Sequence, residues 1–274
     1  MRASGWLKSW IGLKERPEHF VLTPDQTHPY RDGLRFAGLG GGYCAKSMKF
    51  HDSSLYGNHG TLVGYTGAGN TPADQWSRAL GRNVLGFDGN GDRVSRPIIR
   101  ISGEVTRAGW VKRNTGFPFL NDVNAATWNN GAMFGVETTG QLMFWTPASG
   151  WRYGNAVMNS VSLHHIAVVL TMSGGTFYVN GRFDSSWVAS GGIVSATVEG
   201  YIGKGFDSTT YIGTASDPCE WSRALSPSEI TALADPSNVM LSGLILPVWR
   251  RVYGAAVAPS GNRRRRLLIA GARR

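Results

Sequence analysis

Residues 164–181 read His-His-Ile-Ala-Val-Val-Leu-Thr-Met-Ser-Gly-Gly-Thr-Phe-Tyr-Val-Asn-Gly. Two runs rich in β-branched and aromatic residues, His165–Thr171 and Thr176–Val179, are separated by Gly174-Gly175 and closed by Asn180-Gly181. Val, Ile, Thr, Phe and Tyr suit a pleated, half-buried surface. Gly-Gly and Asn-Gly supply the positive φ angles that tight hairpin turns require. The stretch therefore predicts successive antiparallel strands joined by short turns.

The same punctuation extends in both directions. Arg93–Pro97, Ala108–Lys112, Met133–Val136, Gln141–Trp145 and Gly200–Gly203 read as further strands, and Asp88-Gly89 as another turn. No helical pattern separates them, which argues for a sandwich or barrel and against a parallel sheet with crossover helices. One helix start is clear: Ser226 can cap, Pro227 fits the first helical position, and Glu229 stands three residues after the cap. The 274 residues, 42% hydrophobic with 37 glycines and only 17% charged, are enough for one large β domain with a sizeable core.

The net charge of +10 resides at the ends. Residues 43–235 hold 14 Lys/Arg and 14 Asp/Glu, residues 1–42 six and four, and residues 236–274 eight arginines and no acid. A neutral centre argues against a nucleic-acid-binding face there. The division is into an N-terminal amphipathic segment and linker (1–42), a β domain (43–235) and a basic docking tail (236–274). Trp6 and Trp10 fall near one helical face of residues 5–14, which pack on their own domain or dock on a partner or membrane surface. Trp249-Arg250-Arg251 and Arg263-Arg264-Arg265-Arg266 are the docking features of the tail. Nucleic acid, if bound at all, is expected only through that arginine tail. The longest apolar runs, Ile166–Leu170 and Leu244–Val248, fall far short of the roughly 20 residues of a membrane-spanning helix. The first residues lack the apolar core of a secretory signal, so a cytoplasmic origin is expected. Cys44 and Cys219 are too far apart for a CxxC motif; one disulfide or two buried thiols both remain open.

Four stretches, in order, resemble the laminin G-like branch of the concanavalin A-like lectin/glucanase superfamily. They are Asp52-Ser-Ser-Leu-Tyr-Gly-Asn-His-Gly-Thr-Leu; Leu85-Gly-Phe-Asp-Gly-Asn-Gly-Asp-Arg-Val; His164-His-Ile-Ala-Val-Val with Phe177-Tyr-Val-Asn-Gly; and Trp221-Ser-Arg-Ala-Leu-Ser-Pro-Ser-Glu-Ile. The resemblance spans about residues 43–235. It implies an all-β, two-sheet antiparallel jelly-roll sandwich with short N- and C-terminal extensions, in which Trp221 and Leu225 anchor the last strand and capped turn. Where the family often has "I-D-E-V", this chain has Ala215-Ser-Asp-Pro-Cys. Pro218 lacks a ladder N–H, so an edge strand or a bulge is expected there.

The candidate chemistry is sparse. Glycoside hydrolysis needs two carboxylates at a set separation, and relatives that cleave glucans carry theirs alternately on one strand. Glu104, Glu137, Glu199 and Glu220 stand alone. Asp88, Asn90 and Asp92 alternate as oxygen donors over a glycine turn, compatible with a loose Ca²⁺ site or with a plain Asx turn; an EF-hand is excluded because Arg93 occupies the position needing glycine. His164 and His165 point to opposite faces of a strand and cannot easily share a metal. Trp128, Trp145, Trp151 and Trp187 are the candidate sugar-stacking aromatics, with core packing as the alternative for each.

The resemblance, with the anchoring ends, implies a non-catalytic lectin-like structural or adhesion module, of the kind found in environmental bacteriophages and bacterial surface proteins. The expectation is a virion component, a capsid decoration or tail/fibre protein, forming an oligomer within a particle. It would contact other virion proteins through both termini, require no cofactor and present a face to glycans. The alternatives are a free bacterial carbohydrate-binding protein and a glycoside hydrolase.

Overall fold

The computed structural model describes residues 22–24, 29–38, 43–44, 48–65, 76–77, 82–115, 117–123, 129–188, 191–205, 211–236 and 245–247. Along the chain these form β1 (Leu22–Pro24), β2 (Leu34–Ala37), β3 (Tyr43–Cys44), β4 (Lys49–Phe50), β5 (Gly60–Val63), β6 (Trp76–Ser77) and β7 (Arg82–Asn83). Then follow β8 (Leu85–Asp88), β9 (Arg93–Arg96), β10 (Val105–Arg113), β11 (Phe117–Asn121), β12 (Met133–Val136), β13 (Leu142–Thr146) and β14 (Gly150–Tyr153). The remainder are β15 (His164–Thr171), β16 (Gly174–Val179), β17 (Arg182–Val188), β18 (Gly200–Ile202), β19 (Ile212–Trp221), helix α1 (Pro227–Leu233) and β20 (Ile245–Pro247).

Two antiparallel sheets make the jelly-roll sandwich. One runs β17-β16-β15-β10-β19-β2, with β8 also beside β19; the other runs β14-β13-β12-β11-β18-β9-β5-β4-β3. Between them lie Leu62, Val94, Leu120, Phe134, Phe144, Ile166, Val168, Leu170 and Phe177. The outer face of the seven-stranded sheet is covered too. Tyr30, Ala108, Ala167, Trp221, Leu225, Ile230 and Leu233 form a second cluster there, beneath α1. β15 is thus buried on both faces, and this is why its sequence is continuously apolar instead of alternating. Trp221 is fully buried and donates Nε1–H to the Tyr30 carbonyl at 2.8 Å, so Trp221 and Leu225 do anchor the end of the sandwich.

The hairpin turn at Asn180-Gly181 has positive φ at both residues, 50° and 76°, as the type I′ pattern demands. At α1 the Ser226 side chain accepts from the Glu229 amide, while Glu229 accepts from the Ser226 amide, completing a capping box.

Two expectations are corrected. Leu34–Ala37, inside the stretch read as linker, is strand β2; it pairs with β19 and buries Leu34, Phe36 and Ala37. Its Leu-Arg-Phe-Ala alternation lies among prolines and glycines and is too short to stand out. The edge alternative for Pro218 also fails. β19 is interior, and the bulge reading holds. Ala108 pairs with Cys219 and Trp110 with Ser216, leaving one extra residue on β19, where Asp217 takes φ 51°. On the other side β2 ends at Cys219 and β8 begins at Ala215. Pro218 therefore sits where no neighbour requires an N–H, and its carbonyl accepts from the Gly38 amide at 2.8 Å.

Candidate functional site

Most of the recognisable motif residues hold the fold. Asp52 is buried and accepts from the amides of Ala37 (2.9 Å), Ser54 (2.8 Å) and Asn58 (2.8 Å) and from the Ser54 hydroxyl (2.6 Å). One carboxylate thus ties the 52–59 loop to β2. At the glycine turn, Asp88 Oδ1 accepts from the Asn90 amide at 2.7 Å, and Asp92, wholly buried, accepts from the Asp88 amide at 3.1 Å. The Asn90 amide lowers the Asp88 pKa by stabilising its charged form. These are the contacts of an Asx turn, and Asp88 Oδ2 accepts from the Asn90 side-chain amide at 3.3 Å. Among the described residues no three His, Cys, Asp or Glu side chains cluster as metal ligands.

The two histidines diverge. His165 is buried edge-on to Trp110. His164 Nδ1 meets the Asn180 side chain at 3.2 Å, and partial burial lowers its pKa. Cys219 is buried.

Glu220, which stands alone in sequence, is part of a buried ionic quartet. Arg107 on β10 lies 2.7 Å from Asp122 and 3.4 Å from Glu220; Arg96 on β9 lies 3.0 Å from Glu220 and 4.0 Å from Asp122. The four side chains are 0–4% exposed. Arg107 also donates to the Ala132 carbonyl at 2.7 Å, and Arg96 lies 5.3 Å from the Phe36 ring centroid. Burial works against the Arg107 charge, but Asp122 and Glu220 more than offset it, and its pKa is raised. β10 and β19 belong to one sheet and β9 to the other, so the quartet bridges the sandwich. Its carboxylates are committed to guanidinium groups and do not flank an open cleft.

The aromatic candidates separate by face. Trp145 is only 7% exposed and packs with Val123 and Met133. Trp187 is half-buried between Phe177 at 4.8 Å and Phe144 at 5.8 Å. Trp145 fills a gap in apolar packing, and Trp187 packs its ring against the core and is only partly open to solvent. Trp151 is 40% exposed and lies beside Tyr153, 51% exposed, with centroids 6.3 Å apart and planes within 11° of parallel. Register explains their direction. Trp151 pairs with Trp145 and Tyr153 with Met143, on the face turned away from the core, whereas Arg152 pairs with core residue Phe144. Tyr153 escaped the sequence reading; its signal was Trp151-Arg-Tyr153, two aromatics at strand spacing. Trp128, Trp6, Trp10, Trp249, Arg250, Arg251 and Arg263–Arg266 lie outside the described residues.

The outer face of the nine-stranded sheet continues from this pair as a cross-strand row. Trp151 leads through Trp145, Met133 and Asn121 to Tyr201, Ser95, Thr61 and Lys49. Lys204 Nζ lies 5.0 Å from the Tyr201 ring centroid, and Ser95 donates to Glu199 at 3.0 Å. The face thus has an uncharged aromatic end and a charged polar end, separated by the apolar patch that Val123 helps to cover.

Known proteins place this architecture. The fold is similar to domain 4 of AbnA, a GH43 extracellular arabinanase from Geobacillus stearothermophilus, in complex with arabinotriose (TM-score 0.58, 18% identity, 74% of this chain and 98% of that one). It is also similar to the binding domain of Paraclostridial Mosquitocidal Protein 1 (TM-score 0.55, 19% identity, 74% and 52%). A third similar structure is Trypanosoma rangeli sialidase (TM-score 0.54, 15% identity, 76% and 33%), of which the chain matches about a third. No curated protein sequence matches. A family model described as the concanavalin A-like lectin/glucanases superfamily, of laminin G type, matches residues 88–231. With the two-sheet sandwich, its capped terminal helix and that match, the chain belongs to the laminin G-like branch of the concanavalin A-like lectin/glucanase superfamily.

Proposed function

We propose that this protein is a non-catalytic lectin-like module that binds a glycan on the outer face of its nine-stranded sheet. The observation that carries this reading is the exposed, near-parallel Trp151–Tyr153 pair on edge strand β14. Two solvent-facing aromatic rings, backed by the buried Trp145 and Met143, form a rigid apolar surface that gains free energy when a ligand covers it. The hydrolase alternative finds less support, because Glu220 and Asp122 are neutralised inside the ionic quartet. Ca²⁺ is a candidate at the Asp88–Asp92 turn, where carboxylate oxygens already accept from backbone amides and from the Asn90 side chain.

A glycan array probed with the full chain tests the reading. Retention by some glycan, weakened about tenfold or more in Trp151→Ala, is the expected result. Equal retention by wild type and Trp151→Ala would move the site elsewhere, and release of new reducing ends would make the protein an enzyme.

A structural role in a virion, as capsid decoration or tail/fibre protein, is proposed alongside. Its support is the pairing of the two extensions: β1 and β20 form a ribbon separate from both sandwich sheets, with Leu22 opposite Pro247 and Pro24 opposite Ile245. Beyond this ribbon lie Trp6 and Trp10 at one end and the eight arginines at the other.

A further inference from the structure

We infer that the ligand of the Trp151–Tyr153 face is an uncharged glycan, held by stacking and not by ion pairing. This rests on the lectin-like reading and narrows it to a substrate class. The apolar C–H face of a sugar ring is complementary to the negative face of an aromatic ring. A carboxylate-bearing sugar such as a sialic acid or uronic acid additionally needs a guanidinium or ammonium group within hydrogen-bond reach.

Among the described residues no guanidinium or ammonium group is stacked on, or bonded beside, either ring. Arg152, between the two aromatics in sequence, is turned inward by strand alternation, in register with Phe144, and its Nε is buried. Residues 138–151 contain no charged side chain, and neither do residues 123–136. Glu137, the one ionisable group between these stretches, is an acid at the β12–β13 turn, bonded to the amide and hydroxyl of Thr138. The carboxylate packed against this edge, Asp184, accepts from the amides of Asn155 (2.8 Å) and Ala156 (2.7 Å), and it would repel an anion.

The cations that the described residues place on the same face are remote. Tyr201, over which Lys204 lies, is four strand spacings from β14, about 19 Å at the usual inter-strand distance. That is roughly twice the Debye length at physiological ionic strength, so Lys204 adds little attraction at the aromatic pair.

The experiment is a titration of the full chain with two panels, monitored by tryptophan fluorescence and repeated at low and high ionic strength. One panel contains neutral arabino-, xylo- and gluco-oligosaccharides, the other sialyllactose and oligogalacturonate. Wild type, Trp151→Ala and Tyr153→Ala are compared; both residues are exposed, and unchanged circular dichroism and melting would verify the fold. Binding of a neutral probe, indifferent to salt and weakened about tenfold or more in either variant, is expected. Binding confined to the acidic probes, or lost at high salt, overturns the neutral assignment and leaves the lectin-like reading standing. Failure of every probe on both panels, or binding that neither variant weakens, removes the aromatic face as a glycan site and the assignment with it.

Discussion

At the scale of single residues, the quartet of Arg96, Arg107, Asp122 and Glu220 is the most consequential feature. Removing four charged groups from water costs several kcal/mol each, and only close pairing offsets it. Glu220 meets both arginines, so it cannot be neutralised without leaving two buried guanidinium groups to share Asp122. Glu220→Gln is therefore expected to lower unfolding stability by about 3–5 kcal/mol, read by chemical denaturation. Adding Arg96→Met to that variant removes one orphaned charge and should restore part of the loss. A double-mutant cycle with purely additive effects would show that the two side chains are not coupled.

At the scale of elements, α1 closes the outer face of the seven-stranded sheet, and its cap carries a titratable link. The Arg223 side chain, by hydrogen bonds of 2.7 and 3.1 Å, and the Ser226 amide hold the Glu229 carboxyl down to about 2. A carboxyl depressed by folding stabilises the native state above its unfolded pKa, and the contribution disappears as pH falls to the folded value. The difference in melting temperature between wild type and Glu229→Gln should thus be constant above about pH 5 and shrink towards about pH 2. A difference unchanged across that window would exclude the ionised cap as its source. Ser226→Ala, which removes the other half of the box, is expected to cost about 1 kcal/mol in denaturant titrations. This cap was legible in Ser226-Pro-Ser-Glu, and so was the hairpin at Asn180-Gly181, because both are local chemistry written within four residues. β2 and β14 were not legible as strands. They are short, and tertiary pairing with β19 and β13 defines them. The quartet was hidden for the same reason, since its members lie up to 124 residues apart. Trp145 and Trp151 read alike in sequence; only the pairing of β13 with β14 and the cover supplied by Val123 separate a core ring from an exposed one.

At the scale of the molecule, charge and fold are divided between different parts of the chain. Residues 43–235 carry equal numbers of acids and bases, and all of the net +10 comes from the extensions. Both extensions meet in the β1–β20 ribbon, and among the described residues β20 pairs with β1 and with no strand of the sandwich. Among the described residues, the core clusters and the helix that closes them end at Leu233. A chain ending at Pro236 should therefore keep its melting temperature within a few degrees, because it loses none of the described residues of either cluster. What it should lose is association. Light scattering of the full chain is expected to show a multimer, and of the truncated chain a monomer, if the paired ends anchor the module to neighbouring copies or to a particle surface. Raising the salt then identifies the force: an assembly held by the eight tail arginines on an anionic surface dissociates as counterions screen it, whereas one held by Trp6, Trp10 and Trp249 does not. Monomers from both chains would remove the anchoring role and leave the aromatic face of the sandwich as the site of function.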